Sequence, residues 1–144
     1  RSARLGNEEG LHGFTHKYTI KYSDIPATAT TATDTVTFTL GTTPALYAID
    51  KCQVIVRTAF AGTTALAAGV GTTSSVATIS ASQSVLTAGP LSGAAGSVSA
   101  NKVQGSAAIG LVSVFTNSTG GSPSACTAGE VDIYLGIRDL SKIG

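Results

Sequence analysis

The segment spanning residues 129–138 alternates apolar and polar side chains with a strict period of two. Its apolar positions are Val131, Ile133, Leu135 and Ile137, and its polar positions are Glu130, Asp132, Tyr134 and Arg138. Successive side chains of a β-strand point to opposite faces of a sheet. The pattern therefore predicts a half-buried antiparallel strand whose apolar set lies in the core.

The same period recurs along the chain. It predicts further strands at His16–Tyr22, Asp34–Leu40, Ala48–Phe60, Ala65–Val70 and Ala107–Thr116. In the first of these, Tyr18, Ile20 and Tyr22 share one face, and the last is apolar on both faces, which predicts a central position. Six or more short strands with turn signals between them predict an all-β fold, an antiparallel β-sandwich or jelly roll.

Residues 71–106 are less regular. They are rich in Gly, Ser and Ala, with short apolar pieces between. Within them, Ile79–Leu86 fits either a short helix or an irregular strand, and periodicity does not choose between the two.

Residues 1–14 have no periodicity and predict an extended N-terminal arm, followed by a single β-sandwich domain over residues 15–144. Fourteen extended residues reach about 45–50 Å, which is enough to touch a neighbouring subunit. A frayed, disordered terminus is the alternative. The candidate interface residues of the arm, which would contact a neighbouring subunit, are two cations and three apolar anchors: Arg1, Arg4, Leu5, Leu11 and Phe14.

Composition limits the partners that the protein can have. Only 12% of its 144 residues are charged, and the formal net charge is +1. A surface of Thr, Ser and Ala has little charge to keep it monomeric, so we expect a covered surface and a homo-oligomer, a dimer or trimer. The scattered Lys and Arg predict no direct nucleic-acid binding, and no apolar run approaches the ~18 residues of a membrane span.

Motifs for chemistry are weak. His12 and His16 would lie about 13 Å apart along a strand, too far for one metal ion. Glu130 and Asp132 share a strand face about 7 Å apart, but acidic residues are ordinary on the polar face of such a strand. There is no Gly-x-Ser-x-Gly elbow and no phosphate-binding loop, so we expect no enzyme activity, no metal site and no cofactor.

Cys52 and Cys126 allow two interpretations. They are either two small buried hydrophobic residues or one disulfide that joins an early strand to the entry of the last one. The triplet Asn117-Ser118-Thr119 is a formal glycosylation sequon, which arises easily by chance in a chain rich in Ser and Thr.

Five segments together resemble small virion proteins of tailed bacteriophages, in particular head decoration or capsid cement proteins with a jelly-roll fold. These segments are residues 16–22 (HKYTIKY), 56–64 (VRTAFAGTT), 70–73 (VGTT), 86–89 (LTAG) and 127–135 (TAGEVDIYL). The resemblance covers roughly residues 14–141 and does not extend to the arm.

The resemblance implies a non-enzymatic protein on the capsid exterior, present in the host cytoplasm during assembly. Its partner would be the major capsid protein, whose neighbouring capsomers it would staple together. The alternative is a receptor- or glycan-binding domain of a phage tail fibre or spike, although a chain with no Trp and four Tyr is poorly supplied for a glycan platform. A hydrolase on a sandwich scaffold is a third interpretation, and no group of residues supports it.

Overall fold

The computed structural model describes residues 2–4, 14–30, 34–73, 79–91, 103–117 and 121–142. Within these ranges there are strands and three short 3₁₀ turns, and no α-helix. The strands are β1 (Ser2–Arg4), β2 (His16–Lys21), β3 (Thr35–Thr42), β4 (Tyr47–Ala61), β5 (Ala67–Thr72), β6 (Ser80–Ser84), β7 (Gly89–Pro90), β8 (Val103–Gly105), β9 (Gly110–Thr116) and β10 (Ala128–Asp139). The 3₁₀ turns are Tyr22–Asp24, Pro123–Ala125 and Leu140–Lys142.

The strands form two antiparallel sheets. The six-stranded sheet has the order β1-β2-β10-β4-β7, with β8 also paired to β4, and the four-stranded sheet has the order β3-β9-β5-β6. Buried residues of both sheets belong to one hydrophobic cluster. The predicted antiparallel β-sandwich is therefore confirmed.

β10 is the central strand of the six-stranded sheet. Its predicted apolar set is buried, with Val131 and Leu135 fully so and Ile137 the most exposed at 8%. Ile133 pairs with Tyr18 of β2 on one side and with Val54 of β4 on the other. The prediction that this face of β10 lies in the core is confirmed.

Aromatic side chains of both sheets meet in the core. The Phe115 ring on β9 lies 5.3 Å from that of Phe38 on β3 and 5.6 Å from that of Phe60 on β4, centroid to centroid. Since Phe38 and Phe115 belong to the four-stranded sheet and Phe60 to the six-stranded one, this cluster joins the two layers. β9 is buried on both faces, as its sequence predicted, and it lies inside its sheet between β3 and β5.

The long strand predicted at Ala48–Phe60 is β4, and the buried residues Cys52, Val54, Val56 and Phe60 share its inner face.

The structure corrects the predicted end of the first strand and decides between the two structures considered for Ile79–Leu86. Tyr22 is not in the first strand: it begins a 3₁₀ turn and is 40% exposed. The turn forms because the Asp24 carboxylate accepts a hydrogen bond from the backbone N–H of Lys21 at 2.9 Å. The segment with two possible structures contains β6, so the strand was the right alternative.

Gly129 allows β10 to start close to the core. Its φ of +145° is in a region that favours glycine, and a Cβ at this position would clash with the Phe60 ring. The entry to β10 therefore requires glycine for two reasons, the backbone conformation and the contact with Phe60.

Candidate interaction surfaces

Charged residues are divided unequally between the two sheets. β2, β4 and β10 of the six-stranded sheet contain Lys, Arg, Asp and Glu. The four strands of the other sheet contain no charged residue at all. The two sides of the sandwich therefore offer different chemistry to a partner.

Asp132 is the buried centre of a polar network on the outer face of the six-stranded sheet, where it is 3% exposed. It lies opposite Thr19 on β2, whose Oγ1 donates a hydrogen bond to Asp132 Oδ1 at 2.7 Å. Arg57 Nε on β4 donates to Asp132 Oδ2 at 2.8 Å, and Lys17 Nζ lies 3.6 Å from the same oxygen. One carboxylate thus connects three neighbouring strands.

The network keeps Asp132 ionised. Burial raises the pKa of its carboxyl, but hydrogen bonds from Arg57 and Thr19 and the positive charge of Lys17 outweigh burial, so the pKa lies below its ordinary range. Hydrogen bonds to Asp132 and Tyr134 raise the pKa of the Arg57 guanidinium. A general acid needs a carboxyl with a raised pKa, which is the opposite of this arrangement. The geometry is that of a carboxylate that stabilises the sheet by joining β10 to β2 and β4.

Tyr134 extends the network toward the N-terminal arm. Its hydroxyl accepts a hydrogen bond from Arg57 Nη2 at 2.7 Å, and Lys17 Nζ lies 5.9 Å from the centre of its ring. The half-buried Phe14 packs edge-on against the same ring, with 6.0 Å between centroids. The predicted anchor Phe14 therefore contacts its own domain, and its contact with a neighbouring subunit stays a prediction.

The other arm residues are only partly described. Arg4 is in β1, where it pairs with His16 of β2, so Ser2–Arg4 forms an edge of the six-stranded sheet. Arg1, Leu5 and Leu11 lie outside the described residues. The interface role of these residues and the domain boundary at residue 14 remain predictions.

β3 is an outer strand of the four-stranded sheet and has two unlike faces. Thr35, Thr37 and Thr39 are exposed on one face, while Val36 on the other is buried and Phe38 is half-buried. The sequence indicated this alternation, but it did not show that β3 lies at an edge. The pairing order that places it there depends on β9, which is far away in the chain.

A cleft of about 250 Å³ opens between β3 and β2, at the side of the sandwich. Tyr18, Ile20, Phe38 and Leu40 contribute the apolar part of its wall, and Asp24 is its acidic residue. Phe38 lines this cleft next to the outer edge of β3.

The sequence contains one pair considered for metal binding, His12 with His16, and one considered for catalysis, Glu130 with Asp132. His12 lies outside the described residues, and His16 Nδ1 is 2.7 Å from Thr15 Oγ1. No group of three or more His, Cys, Asp or Glu side chains with metal-binding geometry is found in the described ranges. Glu130 lies on the same strand as Asp132 and pairs with Lys21 and Thr58. Asp132, the buried member of this acidic pair, is already bonded to Thr19 and Arg57 in the polar network.

Both cysteines are buried free thiols, so the hydrophobic interpretation is correct and the disulfide is not formed. Burial raises the pKa of the Cys52 thiol to about 12 and also raises that of Cys126. Asn117 of the sequon is 2% exposed, and its Nδ2 donates to the Gly121 carbonyl at 2.9 Å. The folded chain therefore does not present this nitrogen for glycosylation.

Comparison with known proteins identifies no relative. No protein-family model matches the chain, and neither a curated protein nor a solved structure shows significant similarity to it. Among the described residues, no helix has the length and apolar character needed to cross a membrane.

Proposed function

We propose that this protein is a non-enzymatic structural protein of a tailed-bacteriophage virion, which binds the outer capsid surface and links neighbouring capsomers. The observation that carries the proposal is the resemblance of five segments to head decoration proteins. Three of these segments contribute β2, the end of β4 and most of β10, which are adjacent in the six-stranded sheet. The residues of these three segments thus belong to one continuous part of the fold, whereas residues 70–73 lie at the end of β5 in the other sheet. The jelly-roll assignment is part of this proposal.

The uncharged four-stranded sheet supports a role in binding another protein. Covering a charged group removes it from water at a high cost, whereas Thr side chains and apolar groups are covered at a much lower one. The cores of protein interfaces are depleted in charge for the same reason. We assign this side of the sandwich, with the exposed Thr35, Thr37 and Thr39, to contact with the major capsid protein or with another copy.

The burial and the bonding partners of Asp132 also agree with a structural role. Its carboxylate is buried, and Arg57, Thr19 and Lys17 surround it. An ionised carboxylate with three partners holds strands together and is poorly placed to exchange a proton with a substrate. The proposal therefore assigns no reaction to it.

A receptor- or glycan-binding domain of a tail fibre or spike is the second candidate. The edge-on pair of Phe14 and Tyr134, with Arg57 bonded to the Tyr134 hydroxyl, combines an aromatic surface with a polar group, as carbohydrate sites often do. This candidate predicts binding to the host surface and none to the head.

The test uses expanded capsids assembled without this protein. We expect purified protein to bind them saturably in co-sedimentation, to leave free capsid subunits unbound, and to raise the temperature at which the capsids rupture. Binding only to the assembled lattice stabilises it by mass action. Absence of binding to capsids, together with binding to host cells, would overturn the proposal in favour of the tail candidate.

A further inference from the structure

Among the residues that the structure describes, the outer edge of β3 lacks the features that prevent strands from pairing between molecules. Exposed edges are usually interrupted by charged residues, proline or strong bulges. From Thr35 to Leu40, β3 has neither a charged residue nor a proline, and in the described part of the chain no strand pairs on its far side. The opposite edge of the same sheet, β6, has five residues and a register shift against β5.

The hydrogen-bond pattern shows which backbone groups of β3 point outward. The backbone N–H of Asn117 donates to the carbonyl of Asp34 at 3.3 Å, at the start of the β3–β9 ladder. In an antiparallel ladder, alternate residues direct both backbone groups to the same neighbour. Because Asp34 bonds toward β9, the N–H and C=O groups of Thr35, Thr37 and Thr39 are directed away from β9, to the outer edge of the sheet.

We propose that two copies of this protein pair along β3, antiparallel, with a two-fold axis at Thr37. Thr37 then faces Thr37 of the second copy, and Thr35 faces Thr39. The three facing pairs exchange about six backbone hydrogen bonds, and the two four-stranded sheets become one continuous sheet. No like charges meet, and facing Thr hydroxyls are within reach of each other.

The inner face of β3 favours the same register. With the axis at Thr37, the half-buried Phe38 faces the buried Val36 of the second copy, in the closer type of antiparallel pair. This contact covers Phe38 where it borders the cleft between β2 and β3. The register shift after Thr39 and the φ of +148° at Gly41 end the flat part of the strand, so the pairing is limited to its first half.

The resulting interface is small, because one pair of short strands covers less area than a stable dimer requires. We therefore expect a concentration-dependent dimer with a dissociation constant of roughly 10–1000 µM. The inference deepens the proposed function, since it locates the expected self-association, but it concerns the purified protein alone. Its failure can be distinguished from failure of the capsid proposal because no capsid is present in the test.

The experiment is sedimentation equilibrium up to about 1 mM protein. Thr37→Pro removes a backbone N–H that is directed away from β9, and proline is tolerated on an edge strand where its missing N–H faces outward. Thr37→Lys places two ammonium groups against each other at the axis. We expect each variant to weaken the dimer about tenfold or more, while Thr37→Val and Ser82→Lys, an exposed position on the opposite edge, leave it unchanged.

A cross-linking experiment tests the register and does not depend on Thr37→Pro folding. Single cysteines are introduced as Thr37→Cys or Thr39→Cys and treated with a short bis-maleimide, with Cys52 and Cys126 buried. We expect a covalent dimer for Thr37→Cys and none for Thr39→Cys, whose two copies would lie about 13 Å apart. A wild-type monomer at about 1 mM, a dimer unaffected by Thr37→Lys, or cross-linking at position 39 alone would overturn the proposal.

Discussion

Asp132 and Arg57, 75 positions apart in the chain, are joined by a 2.8 Å hydrogen bond between the carboxylate and Nε. The two ends of this bond differ in exposure, since the Asp132 side chain is 4% exposed and that of Arg57 is 47% exposed. Removing the Arg57 guanidinium and removing the Asp132 charge therefore break the same bond but should change the stability of the protein by different amounts.

Arg57→Ala should destabilise the protein more than Asp132→Asn. The first change leaves a buried carboxylate with fewer partners, whereas the second leaves cations that water can solvate. We expect losses of about 2–3 kcal/mol for Arg57→Ala and about 1 kcal/mol for Asp132→Asn, measured by urea unfolding at pH 7. Equal losses would show that the carboxylate is better hydrated than its position indicates.

The contribution of Asp132 should depend on pH. Its pKa is lowered in the folded state, so its stabilisation is present above the unfolded value of about 3.9 and is lost as pH falls through the folded value. The stability difference between wild type and Asp132→Asn should therefore shrink below about pH 4. The pKa of Asp139 is also lowered, mainly by a hydrogen bond from Ser141. Because Asp139 is present in both proteins, its effect cancels when the stability of Asp132→Asn is subtracted from that of the wild type. A stability difference that grows as the pH falls would show that the pKa of Asp132 is raised, and not lowered, in the folded state.

Ile133→Ala tests the core assignment of β10. Ile133 is 1% exposed between Tyr18 and Val54, so we expect a loss of about 2–5 kcal/mol in the free energy of unfolding. Thr58→Ala, at an exposed position of β4, is the control and should cost less than about 0.5 kcal/mol. A loss below half a kcal/mol for Ile133→Ala would mean that the faces of β10 are reversed.

Gly129→Ala and Gly89→Ala separate two costs that glycine avoids. Both residues have positive φ, +145° and +129°, but a Cβ at 129 would meet the Phe60 ring whereas a Cβ at 89 has no atom within 4 Å. We expect about 1–2 kcal/mol for Gly89→Ala from the backbone alone, and at least about 2 kcal/mol more for Gly129→Ala. Similar melting temperatures for the two variants would contradict the close contact with Phe60.

The cysteines should be reduced and unreactive in the folded protein. Without reductant, we expect two free thiols per chain after denaturation and very slow labelling before it, because burial raises the pKa of both thiols. A mass two hydrogens lower under non-reducing conditions would show the disulfide that the structure lacks.

Removing residues 1–13 tests the arm while retaining Phe14 and its contact with Tyr134. We expect the truncated protein to keep its β-rich circular dichroism spectrum and to bind capsids more weakly, because it lacks Arg1, Arg4, Leu5 and Leu11. Phe14→Ala in the full-length chain is the matched comparison for the aromatic contact. Undiminished binding by the truncated protein would exclude the arm from the attachment mechanism.

Local patterns predicted the strands well and their partners poorly. β3, β4 and β10 were recognisable because alternation of side chains along one strand requires no knowledge of its neighbours. The burial of Asp132 was not predictable in this way, because it depends on Arg57 of β4 and Thr19 of β2 arriving at the same point. The edge position of β3 is likewise set by β9. Tyr22 was misassigned because the bond between Asp24 and the Lys21 backbone ends the strand one residue earlier.

The most direct test of the capsid proposal is electron microscopy of phage particles assembled with and without this protein. We expect additional density on the outer surface of the head, bridging neighbouring capsomers, only when the protein is present, and a β-sandwich should fit that density. Density at the tail tip with none on the head would contradict the proposal and support the receptor-binding alternative.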